Sequence, residues 1–147
     1  MDIPHEDVKY FESENMVVFL GQMTQLTTLY LGMRCIPMDM IHTLANMTSL
    51  VKVYLCTFKS LDQLPESRRF PQGLRELRLD ADAIKQDPMP IFEKLPCLVV
   101  LSLKGYQGRT MVCSAQGFPR LQELELRFFS VEEWRVEVEA MHKPDHL

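Results

Sequence analysis

Leu26-Thr-Thr-Leu29-Tyr-Leu31 is the first of five copies of one pattern, LxxLxL, and the spacing of the copies decides the fold. The pattern returns as Leu50-Val-Lys-Val53-Tyr-Leu55, Leu74-Arg-Glu-Leu77-Arg-Leu79, Leu98-Val-Val-Leu101-Ser-Leu103 and Leu121-Gln-Glu-Leu124-Glu-Leu126. Successive first leucines lie 24, 24, 24 and 23 residues apart. A single LxxLxL arises easily by chance in a leucine-rich chain, whereas five in near-constant register do not. The flanks repeat as well. Met23-Thr-Gln-Leu26 matches Met47-Thr-Ser-Leu50, and Leu20 and Leu44 each stand six residues before a copy begins. Later copies are entered through Phe70-Pro71, Leu95-Pro96 and Phe118-Pro119. Proline holds the residue before it in extended geometry and stops a helix from running into the strand.

A period of 23 to 24 falls in the window of leucine-rich repeats. The expected fold is therefore an α/β leucine-rich repeat solenoid of about five to six repeats. Its concave face would be a curved parallel sheet, and its convex face short helices and loops. Alternation in Thr28-Leu29-Tyr30-Leu31 points the leucines inward and Thr28 and Tyr30 outward. Met38 to Leu44 suits a helical turn or two, with Met40, Ile41 and Leu44 inward. Segments 56–70 and 104–117 carry Gly, Pro, Ser and Gln without a helical period, and irregular structure is expected there. The asparagine that often knits such turns is missing. Arg34, Phe58, Asp82, Tyr106 and Phe129 stand in its place.

The expected domain plan is a polar lead-in or frayed end over 1–15 and a repeat domain over 16–147. Met141-His-Lys-Pro144-Asp-His-Leu147 aligns with Phe118-Pro-Arg-Leu121-Gln-Glu-Leu124 at an offset of 23, so a sixth repeat begins and is left incomplete. The expectation is a segment of a longer array or a truncated product. A solenoid end without a polar cap exposes core, and neither end carries a convincing cap.

At 147 residues and 46% hydrophobic content, the chain has the size and apolar content of one folded domain. Its net charge of −4 lies within residues 121–140, which hold six acids and two bases. That balance argues against a nucleic-acid partner, which calls for a basic excess. The longest apolar run, Met16 to Leu20, is far short of the roughly 20 residues a membrane span needs. Met1 to Asp7 shows no basic flank followed by an apolar stretch, so no signal peptide is read there. Cys35, Cys56, Cys97 and Cys113 have no CxxC spacing, which favours reduced thiols in the cytoplasm. In that setting Asn46-Met-Thr48 is a chance glycosylation triplet.

Catalytic constellations are scarce. His5, His42, His142 and His146 are terminal or isolated. His142 and His146 beside Asp145 resemble a metal spacing, but a solvated chain end explains them better. Cys113-Ser114 has no evident base, GxSxG does not occur, and Gly105-Tyr-Gln-Gly108 lacks the lysine and spacing of a phosphate loop. The sequence thus predicts no enzyme, no cofactor and no metal. The candidate binding residues are the outward strand positions: Thr28 and Tyr30, Lys52 and Tyr54, Glu76 and Arg78, Val100 and Ser102, Glu123 and Glu125. Tyrosines beside an arginine are common anchors at protein interfaces, although tyrosine also simply suits a strand. Trp134 fits either a strand or one helical face with Val131 and Val138, and is expected in the core.

Phe118-Pro-Arg-Leu-Gln-Glu-Leu-Glu-Leu126, then Val131-Glu-Glu-Trp134-Arg-Val-Glu, then Ala140-Met141, resembles the C-terminal repeats of plant intracellular nucleotide-binding leucine-rich-repeat disease resistance proteins. Leu95-Pro-Cys-Leu98-Val-Val-Leu101-Ser-Leu103 is similar to the repeat before it. His142 and Pro144 depart from the family pattern. The family's ATP switch lies in another domain, and no GxxxxGK[ST] occurs here. The resemblance implies a cytoplasmic ligand-sensing and autoinhibitory scaffold. Its partner would be a pathogen effector, a guarded host protein or another domain of the same receptor, with no membrane insertion. The acidic run Glu132, Glu133, Glu137, Glu139 is then a solvated face or an intramolecular clamp on a basic domain. A substrate adaptor of another cytosolic pathway, such as an F-box-type ubiquitin ligase, is the alternative.

Overall fold

Each LxxLxL copy can bury its leucines only by laying them on those of the next copy, because a lone extended strand has no core of its own. A computed structural model describes residues 8–9, 22–34 and 38–137. In chain order it contains β1 (Val8–Lys9), β2 (Thr28–Met33), helix α1 (Met38–Ala45), β3 (Lys52–Thr57) and β4 (Ser60–Leu61). A 3-10 turn (Ser67–Arg69), β5 (Glu76–Ile84), α2 (Met89–Phe92), β6 (Val100–Tyr106), β7 (Thr110–Cys113), β8 (Glu123–Arg127) and β9 (Glu133–Val136) follow. The architecture is α/β, with mostly parallel strands and few helices. The main sheet runs β1-β2-β3-β5-β6-β8, with β4 beside β5.

The strand register is the sequence register. Leu29 faces Val53, Val53 faces Leu77, Leu77 faces Leu101, and Leu101 faces Leu124. The row from Leu31 through Leu55, Leu79 and Leu103 to Leu126 repeats this two residues on. From β2 to β6 these inward residues are at most 3% exposed. Burying one such leucine is worth about 1.5–3 kcal/mol, so the two rows are the main favourable term. At β8 the rows thin: Leu124 and Leu126 are only partly buried against the core. Within the stretch read as a lead-in, Val8 pairs with Tyr30 and Lys9 with Leu31.

The return segments are more ordered than the sequence suggests. α1 forms where a helical turn is expected, and Ile41 and Leu44 are buried. The side chain of Met40 lies outside the described residues, as do Cys35, the rest of the lead-in and the incomplete sixth repeat. Segment 56–70 contains β4 and the 3-10 turn, and segment 104–117 contains β7. β7 pairs in parallel with β9, Met111 opposite Trp134 and Cys113 opposite Val136. Trp134 therefore takes the strand alternative. It is partly buried against the core, and its Nε1–H points at the Cys113 sulfur at 3.4 Å.

Carboxylates do the knitting that the missing asparagines would otherwise do. Asp87 accepts the backbone N–H of Met89 at 3.0 Å and of Val112 at 2.9 Å, joining α2 to β7. Burial pushes its carboxyl above the usual range, against the two amide bonds that favour the anion. Glu93, only 3% exposed, accepts the Ser114 N–H at 2.7 Å, while its carbonyl accepts that of Phe118 at 2.8 Å. Elsewhere the Thr57 hydroxyl donates to the Arg34 carbonyl at 2.9 Å, and the Tyr106 hydroxyl to that of Thr110 at 2.6 Å.

Gly105-Tyr-Gln-Gly108 has a packing explanation. The register between β5 and β6 shifts between Asp80 and Ile84, and Gly105 sits beside that irregularity at φ 105°. A Cβ there would lie 2.5 Å from the Ala81 carbonyl oxygen, and one on Gly108 would collide with the Tyr106 ring. Gly105→Ala should therefore cost about 1–3 kcal/mol. Gly73→Ala, whose new Cβ meets nothing within 4 Å, should change stability by under about 0.5 kcal/mol. Urea midpoints of the two variants check both expectations.

Candidate functional site

Constant register places the ten outward residues in two columns on the sheet face opposite the buried leucines. One column is Thr28, Lys52, Glu76, Val100 and Glu123; the other is Tyr30, Tyr54, Arg78, Ser102 and Glu125. The Tyr30 and Tyr54 rings meet edge to face, centroids 5.6 Å apart at 69°. The Arg78 guanidinium lies 5.0 Å from the Tyr54 centroid, and the Lys52 ammonium 5.5 Å from that of Tyr30. Lys52 also pairs with Glu76 at 3.3 Å. The result is a continuous aromatic and cationic strip across β2, β3 and β5.

Ser102 departs from the expectation of an outward contact. It is only 3% exposed, and its hydroxyl donates to Glu125 Oε1 at 2.8 Å. The same oxygen lies 3.9 Å from Arg78 Nη2 and 3.9 Å from Arg127 Nε. Glu125 thus closes over Ser102 and leans between two arginines.

A third column went unread in the sequence: Gly32, Cys56, Asp80, Lys104 and Arg127. LxxLxL ends at its last leucine, but the strand continues, and the next residue is outward again. Asp80 is its central member, 8% exposed. It accepts the Tyr54 hydroxyl at 2.9 Å through one oxygen and Arg127 Nη2 at 2.9 Å through the other. Arg127 reaches across β6 to do so. The Nε–H groups of Arg78 and Arg127 are buried without a hydrogen-bond partner, so the network is strong at its centre and incomplete at its edge.

Burial and then the Asp80 hydrogen bond and charge hold the Tyr54 phenol above its ordinary value of 10. The bond therefore stabilises the fold fully below pH 10, and its contribution fades as pH rises through the raised folded value. His42 is exposed, and His5, His142 and His146 lie outside the described residues. Cys113 is fully buried, and burial pushes its thiol up to about 11, with no base beside it among the described residues. That environment disfavours a nucleophile. Among the described residues no three His, Cys, Asp or Glu side chains converge on a metal position, and no helix is long and apolar enough to cross a membrane. In the acidic run, Glu133 pairs with Arg135 at 3.0 Å and Glu132 with Arg109 at 4.0 Å, both exposed. Such pairs contribute little.

Asp80→Ala should cost roughly 1–3 kcal/mol, because it leaves the Tyr54 hydroxyl and the Arg127 fork without their acceptor. Tyrosinate absorbance should show one phenol titrating at lower pH than in the parent chain. An unchanged titration would mean that Asp80 does not hold Tyr54.

No family model matches the chain. Its sequence is 45% identical over 84 residues to "Probable disease resistance protein At1g59620" of Arabidopsis thaliana, covering 55% of this chain and 10% of that protein. It is 40% identical over 84 residues to "Probable disease resistance protein RF9" of the same plant, covering 55% of this chain and 8% of that one. "Probable disease resistance RPP8-like protein 2", also of Arabidopsis thaliana, is 43% identical over 84 residues, covering 55% and 9%. The chain is a homologue of plant disease resistance proteins over about half its own length, and it spans about a tenth of the length of the curated relatives it matches.

Proposed function

We propose that this chain is a leucine-rich repeat solenoid section, residues 16–147, of a cytoplasmic plant nucleotide-binding immune receptor. Its outward sheet face recognises a protein. It acts as a scaffold and not as an enzyme. Thr28, Tyr30, Lys52, Tyr54, Glu76, Arg78, Val100, Glu123 and Glu125 form the recognition surface, with Arg127 and the buried Ser102 and Asp80 holding it. The partner is a pathogen effector, a guarded host protein or another domain of the same receptor. The homology to disease resistance proteins supports the setting. The observation that carries the binding reading is the Tyr30–Tyr54–Arg78 strip, in register over three adjacent strands.

The physics suits recognition. Aromatic rings give large contact area for little rotamer entropy, and Arg78 is already fixed by its stack on Tyr54 and its approach to Glu125. A receptor held inactive through this face would switch because the incoming partner binds the resting and active states with different affinity. The absence of a GxxxxGK[ST] loop in the sequence leaves nucleotide handling to another part of such a receptor.

The test is capture from plant cell extract with the parent chain and with a Tyr30→Ala/Tyr54→Ala/Arg78→Ala variant. One specific protein should be captured by the parent. The variant should bind it at least about 30-fold more weakly, with circular dichroism retained. Equal capture by a folded variant, or capture of chaperones alone by the parent, would sink the proposal.

A further inference from the structure

The entry side of the strands carries a second surface. Arg75, Val99 and Gln122 immediately precede β5, β6 and β8. With Gly73, Cys97 and Arg120 they line a groove of about 440 Å³, bordered by Pro119. Its floor is self-satisfied: the Val99 N–H donates to the Arg75 carbonyl at 2.8 Å, and that of Gln122 to the Val99 carbonyl at 2.8 Å.

The charge in this groove is one-sided. Arg68, Arg78, Arg109, Arg127 and Arg135 each come within 4.0 Å of a carboxylate. Arg75 and Arg120 are exposed and meet no carboxylate among the described residues. No acid lines the groove. Arg34 and Arg69 also meet no carboxylate among the described residues, but only Arg75 and Arg120 share this groove. Between them lie the half-buried side chains of Val99 and Cys97. At Gly73 the groove has open space, since a Cβ there would meet nothing within 4 Å.

We infer that this groove binds an extended acidic segment of a partner polypeptide, with carboxylates four residues apart on Arg75 and Arg120 and an aliphatic side chain midway between them, on the same face, over Val99. The spacing suits it. Arg75 stands one residue before β5 and Arg120 three residues before β8, two strands away, so they are about 10 Å apart across the sheet and further offset along it. Side chains four residues apart on one face of an extended peptide are about 13 Å apart, with a third side chain of that face midway between them. Guanidinium forks take carboxylates in paired hydrogen bonds. The groove adjoins the first outward column, since Arg75 and Val99 also border the hollow lined by Lys52 and Glu76, but it includes neither tyrosine.

The test uses the purified 147-residue chain and a fluorescein-labelled peptide, Gly-Glu-Ser-Val-Ser-Glu-Gly, by anisotropy. Saturable binding is expected, weakening as salt rises. Arg75→Ala/Arg120→Ala should weaken it about tenfold. Gly73→Tyr, which fills the groove from a position with room for a side chain, should weaken it at least as much with circular dichroism unchanged. The peptide should also slow iodoacetamide labelling of Cys97 and leave that of Cys56, on the other surface, unaffected. Equal binding of the lysine counterpart peptide, or unchanged affinity in a folded Gly73→Tyr chain, would overturn the proposal. So would complete displacement of the peptide by an equal concentration of inorganic phosphate, which would make this a phosphate site.

Discussion

The structure depends on leucine meeting leucine from one strand to the next. A parallel sheet has its strands separated in sequence by a crossover, so neighbours can slip unless side chains fix them. Here the rows through Leu29 and Leu31 fix them. A slip of one residue would turn every inward leucine to the outward face and bury Tyr54, Arg78 and Glu125 in the core. That cost is prohibitive, so the return segments must adjust to the strands. The fifth copy shows it. Its spacing is 23 instead of 24, yet Val100 still faces Glu123 and Leu101 still faces Leu124. The missing residue is taken from the return segment and the ladder is untouched.

Return segments under that constraint need their own polar partners, because their backbone is half buried and in no long ladder. Asp87 and Glu93 supply acceptors across neighbouring turns, and β7 with β9 makes a second short ladder. This explains why an array without the usual asparagines still closes. It also explains the glycines of segment 104–117. Gly105 lets β6 pass under the Ala81 carbonyl, and Gly117 leaves room for the Glu93 carboxylate, which a Cβ there would touch at 2.6 Å.

Sequence alone made the strand positions, their parallel order and the two outward columns legible, because a period-2 alternation inside a period-24 repeat has one geometric solution. It also made Ile41 and Leu44 legible as inward residues of a helix. The second sheet was not legible. Thr110–Cys113 is short, and its partner, Glu133–Val136, fits both strand and helix periods. The buried state of Ser102 was hidden too, since it depends on which way Glu125 leans. Asp80 and Arg127 were missed for a simpler reason: the motif was read to its final leucine, and alternation carries one residue further in both strands.

Asp80 changes how the outward face should be understood. Without it, Tyr54 and Arg127 would be flexible side chains on adjacent surfaces. With it, a buried carboxylate joins β3 to β8 across two intervening strands, and Arg78 is caught between the Tyr54 ring and Glu125. The entropy of ordering these long side chains is then lost on folding and not on binding, which favours affinity for any partner that meets the face as it stands. The entry-side groove is the opposite kind of surface. Arg75 and Arg120 meet no carboxylate among the described residues, so on the proposed reading each is ordered by the arriving partner, and attraction there falls with salt. On the proposed reading, one side of the sheet recognises shape and its rim attracts charge.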